Sequence, residues 1–175
     1  MKRNQRNVIE HLVNWKKTLL IAIVFATPVT MAFAGPGGTD RPHAGMCDTV
    51  VTPLTQGFPL LLRIDLACQF RHLGLTTGVI AQEVNATGPV LNNLLPAAVS
   101  SQITYTAANG DALRSTFLGV ASINVVTGAV AFEGIETYGG GTGRFSQASG
   151  SSFLEGTVPA GTNNGFYTTV GRISY

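Results

Sequence analysis

Few residues in this 175-residue chain are able to do chemistry, and they are spread thinly along it. In a stretch reading as a strand from Ser151 to Val158, Glu155 shares a face with Phe153. In the closing stretch, Arg172 shares a face with Phe166 and Val170, and Tyr105 lies on one face with Ile103. If Tyr105, Glu155 and Arg172 point inward, they form an acid, a cation and a phenol in an apolar cup. Such a group could seat the polar head of a lipophile or exchange protons with it. The opposite strand facing puts the charges in water, because one bulge inverts every later side chain. Glu133 lies with Ala129, Ala131 and Ile135, whereas Val130 and Phe132 on the other face look more core-like. His72 has no visible Ser or Asp partner and reads as a strand-end histidine rather than a base. His43, beside Asp40, has too few donors around it for a metal ligand, so neither a metal site nor a cofactor is expected.

Cys47 and Cys68 are the only cysteines. An even count in an exported chain reads as a disulfide, while two buried free thiols remain the other reading. Neither sits beside a His or a helix start that would make it a reactive thiolate.

Charge divides the chain. Residues 1–34 carry five Lys or Arg against Glu10 alone, and the rest carries six Arg, eight acids and no Lys, so a formal +2 resolves into +4 and −2. All 21 glycines also follow residue 34. A folded part without a basic stripe argues against nucleic acid as a partner. With 45% hydrophobic and 11% charged residues, the composition is not that of a disordered chain.

The basic start ending at Lys16-Lys17, the apolar run from Leu19 to Ala26, and Ala32-Phe33-Ala34 before Gly35 predict a signal peptide over residues 1–34. Leu19–Ala34 is 16 residues interrupted by Pro28, shorter than the roughly 20 of a membrane span. An uncleaved anchor remains the other reading of this long leader; after cleavage no stable membrane span is expected. A secreted or periplasmic location follows.

Residues 35–46 are rich in Gly and Pro and read as a flexible arm, leaving 47–175 as the folded domain. There the period is two. Leu60, Leu62, Ile64, Leu66 and Cys68 alternate with Arg63, Asp65 and Gln69. Further strands are expected over 75–84, 99–107, 112–125, 129–137, 151–158 and 166–175, with turns at Asn109-Gly110-Asp111, Thr127-Gly128 and 159–165. Residues 85–97 form a long connection with room for a helical turn near Val90–Leu95. Seven or eight short strands without an amphipathic helix predict an all-β fold, an antiparallel β-barrel of about eight strands preceded by the signal helix.

Gly140-Gly141-Thr142-Gly143-Arg144-Phe145, followed by Ala148 and Gly150, resembles the signature of the allene oxide cyclase and dirigent-like β-barrels, in the form found in small secreted bacterial members. Arg71-His72-Leu73-Gly74, Ala107–Asp111 and the closing Gly171–Tyr175 extend the resemblance over about residues 68–175. It implies an eight-stranded barrel, trimeric in plant members, that handles hydrophobic substrates. Gly140, Gly141, Gly143, Arg144 and Phe145 carry over as structural positions. Positive φ at the glycines would turn the chain at a barrel rim, Arg144 would donate to loop carbonyls, and Phe145 would plug the barrel end. A phosphate loop would need a following helix and a Lys, and neither is present.

The function expected is a non-catalytic binding or structural module, with a hydrophobic small molecule as its partner. The alternative is a cyclase, isomerase or dirigent-like guide for such a molecule. An interior packed solid by Ile103, Tyr105, Phe117 and Phe132 would exclude a substrate, and an open one would admit it. Low charge and Thr/Ser-rich faces add self-association into a homo-oligomer.

Overall fold

The computed structural model describes residues 39–175, so the leader expected over 1–34 lies outside the described residues. Eight strands follow one another: β1 (Asp40–Pro53), β2 (Leu60–Phe70), β3 (Gly74–Ala86), β4 (Leu94–Ala107), β5 (Ala112–Asn124), β6 (Val130–Gly141), β7 (Ser149–Val158) and β8 (Asn164–Ser174). Each pairs antiparallel with the next, and β1 also pairs with β8, closing the barrel. Closure gives every strand two hydrogen-bonded neighbours and removes the sheet edge that would otherwise attract other chains.

The alternation in the sequence is what lets the wall curl. In β2 the buried positions are Leu62, Ile64, Leu66, Cys68 and Phe70; in β4 they are Ala97, Val99, Ser101, Ile103, Tyr105 and Ala107. These side chains fill the interior and their alternates face outward.

Two local expectations are corrected. The strand β1 begins at Asp40, so residues 40–46 are not a flexible arm. They pair with β8 from Asp40↔Ser174 to Met46↔Thr168, because Pro42 and Gly45 are tolerated in a strand whose neighbours supply the remaining bonds. No helical turn forms near Val90–Leu95. Asn92 and Asn93 adopt positive φ, and Leu91 and Leu94 exchange backbone hydrogen bonds of 2.9 Å around them, a tight reversal that Asn accepts at low cost. Among the described residues, the helical element beyond the strands is a 3-10 turn at Gly143–Phe145, inside the Gly-rich loop.

The barrel has two unlike ends. Phe145 is fully buried at the end where β6 turns into β7, its ring packed edge-on against Tyr175 at 4.9 Å. Gly143 there has φ +52, and a Cβ on it would run into the Asp111 carboxylate, so the loop closes this tightly only with glycine. Arg144 does not reach over the loop's carbonyls as expected. Its guanidinium lies 4.6 Å from the Phe145 ring centre and 3.9 Å from Asp111, whose carboxylate also accepts the Arg144 backbone N–H. The opposite end is open.

Cys47 and Cys68 stand directly opposite each other on β1 and β2 and form a disulfide, with Cα atoms 4.0 Å apart. Both sulfurs belong to the interior, buried among the core residues.

Candidate ligand-binding site

At the open end the interior is a cup of about 200 Å³. Its rim is built from Pro53, Leu60, Ile123 and the turn residues Gly128, Thr162 and Asn163. Its floor is set by Ile64, Ile80, Ile103, Phe117, Leu154 and Tyr167, the lining residues farthest from the mouth on their strands. Small residues make the room. Gly119 and Gly134 pair across β5 and β6, and a Cβ on either would strike the Phe117 ring. The walls are mostly aliphatic. Polar exceptions include Thr49, and Ser101, which donates to Gln82 Oε1 at 3.1 Å across β3 and β4.

Beneath the floor, between cup and plug, lies a polar layer with no exposure to solvent. Glu136 is fully buried, and four hydroxyls aim at its carboxyl group. Tyr105 Oη donates to Oε1 at 2.8 Å and Ser115 Oγ at 2.5 Å; Tyr138 Oη and Ser152 Oγ each reach Oε2 at 3.4 Å. Tyr138 and Ser152 are 2.9 Å apart, and Thr169 donates to Ser152. Tyr105 and Tyr167 hydroxyls are 2.9 Å apart, so Tyr167 belongs to both the polar layer and the cup floor.

Burial pushes the Glu136 carboxyl above its ordinary value, and the hydrogen bonds from Ser115, Tyr105, Ser152 and Tyr138 oppose that rise without cancelling it. Burial likewise raises Tyr105, Tyr138 and Tyr167, which stay neutral donors. His43, also fully buried, lies against Phe70 at 5.0 Å and edge-on to Tyr138 at 5.2 Å, and its Nδ1 has no hydrogen-bond partner. Burial, with the charge of His72 second, lowers it to about 4.

Of the three residues expected to converge, only Tyr105 is inside. Glu155 and Arg172 lie on the outer face of the wall, and Arg172 pairs with Asp40 at 2.6 Å. The inward positions of β7 are Ser152 and Leu154, and those of β8 are Tyr167, Thr169 and Ile173. Phe153, Phe166 and Val170 suggested the wrong parity because they are large and apolar yet face outward. The acid inside is Glu136. Its signal was present in the more core-like face of Val130 and Phe132, since two and three further steps of the same alternation reach Glu136 and Tyr138. The interior is also not packed solid: Phe117 and Phe132 line the cup instead of filling it.

Among the described residues, no group of three or more His, Cys, Asp or Glu is placed to hold a metal ion, and no helix is long and apolar enough to cross a membrane. Fold and site together define a class, a closed eight-stranded antiparallel barrel with an apolar cup above a buried carboxyl–tyrosine layer. Comparison of the chain with protein-family models, with curated proteins and with solved structures finds no match.

Proposed function

We propose that this protein is an exported barrel of the allene oxide cyclase and dirigent-like type that holds a small apolar molecule in its open end without transforming it. The observation that carries the reading is the cup: about 200 Å³ of mostly aliphatic wall reached from one end of an otherwise filled barrel. A disulfide between Cys47 and Cys68 is compatible with an oxidising compartment outside the cytoplasm. The Gly140–Phe145 sequence supports the family, together with the eight-stranded closure expected of it.

A second reading, guided chemistry on the bound molecule, draws on Glu136 and its tyrosines. Glu136 is absent from the cup lining and reaches it only through Tyr105 and Tyr167, which favours binding over catalysis.

Titration with the neutral fluorophore N-phenyl-1-naphthylamine tests the proposal. Saturable fluorescence enhancement is expected, and Ala121→Phe, which places a ring in the cup, should weaken it by about tenfold or more. Ile135→Arg on the outer wall should leave it unchanged. Equal enhancement in wild type and Ala121→Phe would overturn the cup as the binding site.

A further inference from the structure

The four loops at the cup mouth, residues 54–59, 87–93, 125–129 and 159–163, contain no Asp, Glu, Lys, Arg or His. Three of them present large apolar side chains to solvent instead. Leu54 and Phe58, Val90 and Leu91, and Val125 and Val126 are each between 46% and 71% exposed, so apolar tips project at three points around the opening. The loops at the plugged end do the opposite. There Leu73, Phe145 and Ala148 turn inward and are buried, while Arg71 and Arg144 are exposed. An apolar loop residue in this barrel is therefore not exposed by default, and the barrel is amphipathic along its axis.

The tips are also held in place. Leu91 and Leu94 exchange backbone hydrogen bonds, and the Val125 N–H donates to the Asn93 carbonyl at 2.9 Å, tying the second of these loops to the third. The Val126 and Thr127 N–H groups each donate to Asn124 Oδ1 at 3.0 Å. Thr55 Oγ1 accepts the Leu61 N–H at 2.8 Å and donates to the Pro59 carbonyl at 3.2 Å. Backbone groups satisfied within the protein can approach an apolar medium without losing a partner.

We infer that the mouth is a docking surface for a lipid bilayer with zwitterionic headgroups, into which the six apolar side chains insert. Three separate tips around a hole suit a fluid surface that follows uneven relief better than the close-fitting face of a folded partner. Charge narrows the choice of lipid. The outward charged residues nearest the mouth, each three residues inside its strand end, are Glu83, Glu133, Glu155 and Arg63, and Arg63 is already paired with Asp65 at 2.9 Å. An anionic surface would repel this collar of acids, and a zwitterionic one does not. A second copy docked mouth to mouth would bring two such collars together. It would also seal both cups, an objection that rests on the cup's proposed role. Docked on lipid, the cup opens onto the phase in which small apolar molecules dissolve.

Trp15 is the chain's only tryptophan, so a single reporter can be placed at either end of the barrel. In Trp15→Phe/Val126→Trp, phosphatidylcholine vesicles should shift emission to the blue and brominated phosphatidylcholine should quench it. Trp15→Phe/Leu75→Trp, with its reporter at a 72% exposed wall position near the plug, should show neither effect. Adding Leu54→Asp and Leu91→Asp to the Val126→Trp chain should raise the lipid concentration needed for half-quenching by at least about tenfold. Phosphatidylglycerol mixed into the vesicles should weaken binding at low salt, with recovery at high salt. Far-UV circular dichroism checks that each chain folds, and Leu54→Ser/Leu91→Ser replaces the Asp pair if it does not. Titration with N-phenyl-1-naphthylamine in vesicle-free buffer reads the cup separately, since neither Leu54 nor Leu91 lines it. A Val126→Trp reporter that vesicles leave unshifted overturns the inference, as does one quenched no more than the Leu75→Trp reporter. So does quenching insensitive to Leu54 and Leu91, or binding that strengthens with phosphatidylglycerol. A dimer in gel filtration that Leu54→Asp/Leu91→Asp dissociates would assign the tips to a second copy and also overturn it.

Discussion

Glu136 and His43 give the interior two titratable groups whose burial acts on stability in opposite senses. The Glu136 carboxyl binds its proton more tightly in the folded chain than in the unfolded one. Its contribution is therefore complete below the ordinary glutamate value of 4.5 and is lost as pH rises through the raised folded value. Glu136→Gln, which keeps an acceptor for Tyr105 and Ser115, should flatten that decline, as melting temperature against pH for both proteins would show. A parallel decline in wild type and variant would mean that Glu136 does not titrate on this limb. His43 works the other way. It stays neutral until about pH 4 when folded, against 6.5 when unfolded, so stability is present above 6.5 and is lost as pH falls toward 4. His43→Phe keeps an aromatic ring against Phe70 and Tyr138 and removes a buried nitrogen without a partner. The variant should match or exceed wild-type stability at neutral pH and should lose less on acidification between 6.5 and 4, measured by urea unfolding at stepped pH.

At the level of elements, the strand β1 depends most on its neighbours. Its sequence, with Pro42, Gly45 and Pro53, has weak strand preference, and it is held by pairing to β2 and β8 and by the Cys47–Cys68 bond. Joining residues 21 apart restricts the unfolded chain, so Cys47→Ala/Cys68→Ala should lower unfolding free energy by roughly 3 kcal/mol. Urea denaturation of the variant against the oxidised wild type reads this directly; equal midpoints would show that the bond contributes nothing. The Gly-rich loop illustrates the reverse dependence. Gly143 can approach Asp111 only because it lacks a side chain, and that approach lets Asp111 accept the Arg144 N–H while Phe145 enters the barrel end.

At the scale of the whole molecule, closure converts eight strands of modest individual stability into one ladder without ends. The β1–β8 seam joins the two ends of the described chain and carries eleven registered pairs, as many as β2–β3. Amide hydrogen exchange should therefore protect Gly45 and Cys47, whose N–H groups face β8 across the seam, to a degree comparable with the centre of β4. Exchange at these amides that is orders of magnitude faster than in β4 would show that the barrel opens at the seam. Filling is uneven along the axis. Aromatics and the polar layer occupy the plugged half, and glycines facing Phe117 leave the other half hollow.

Much of this was legible along the chain. Alternation over Leu60–Cys68 and Val99–Ala107, with turn residues between strands, specified an all-β chain and the inward face of β2 and β4, because apolar side chains at period two can be buried on one side only. Pairing the two cysteines needed only their number and the expectation of export. What the sequence could not decide was parity in β7 and β8, and with it the acid that lies inside. Phe153, Phe166 and Val170 are as apolar as core residues, and local hydrophobicity cannot distinguish a side chain facing the barrel axis from one on an outer belt. Register with neighbouring strands decides it: Ser152 and Thr169 must turn inward to meet Tyr138 and Glu136, and that sends Glu155 and Arg172 to the surface. The cup too is a tertiary property, for its volume depends on which side chains from eight separate strands share one level of the barrel.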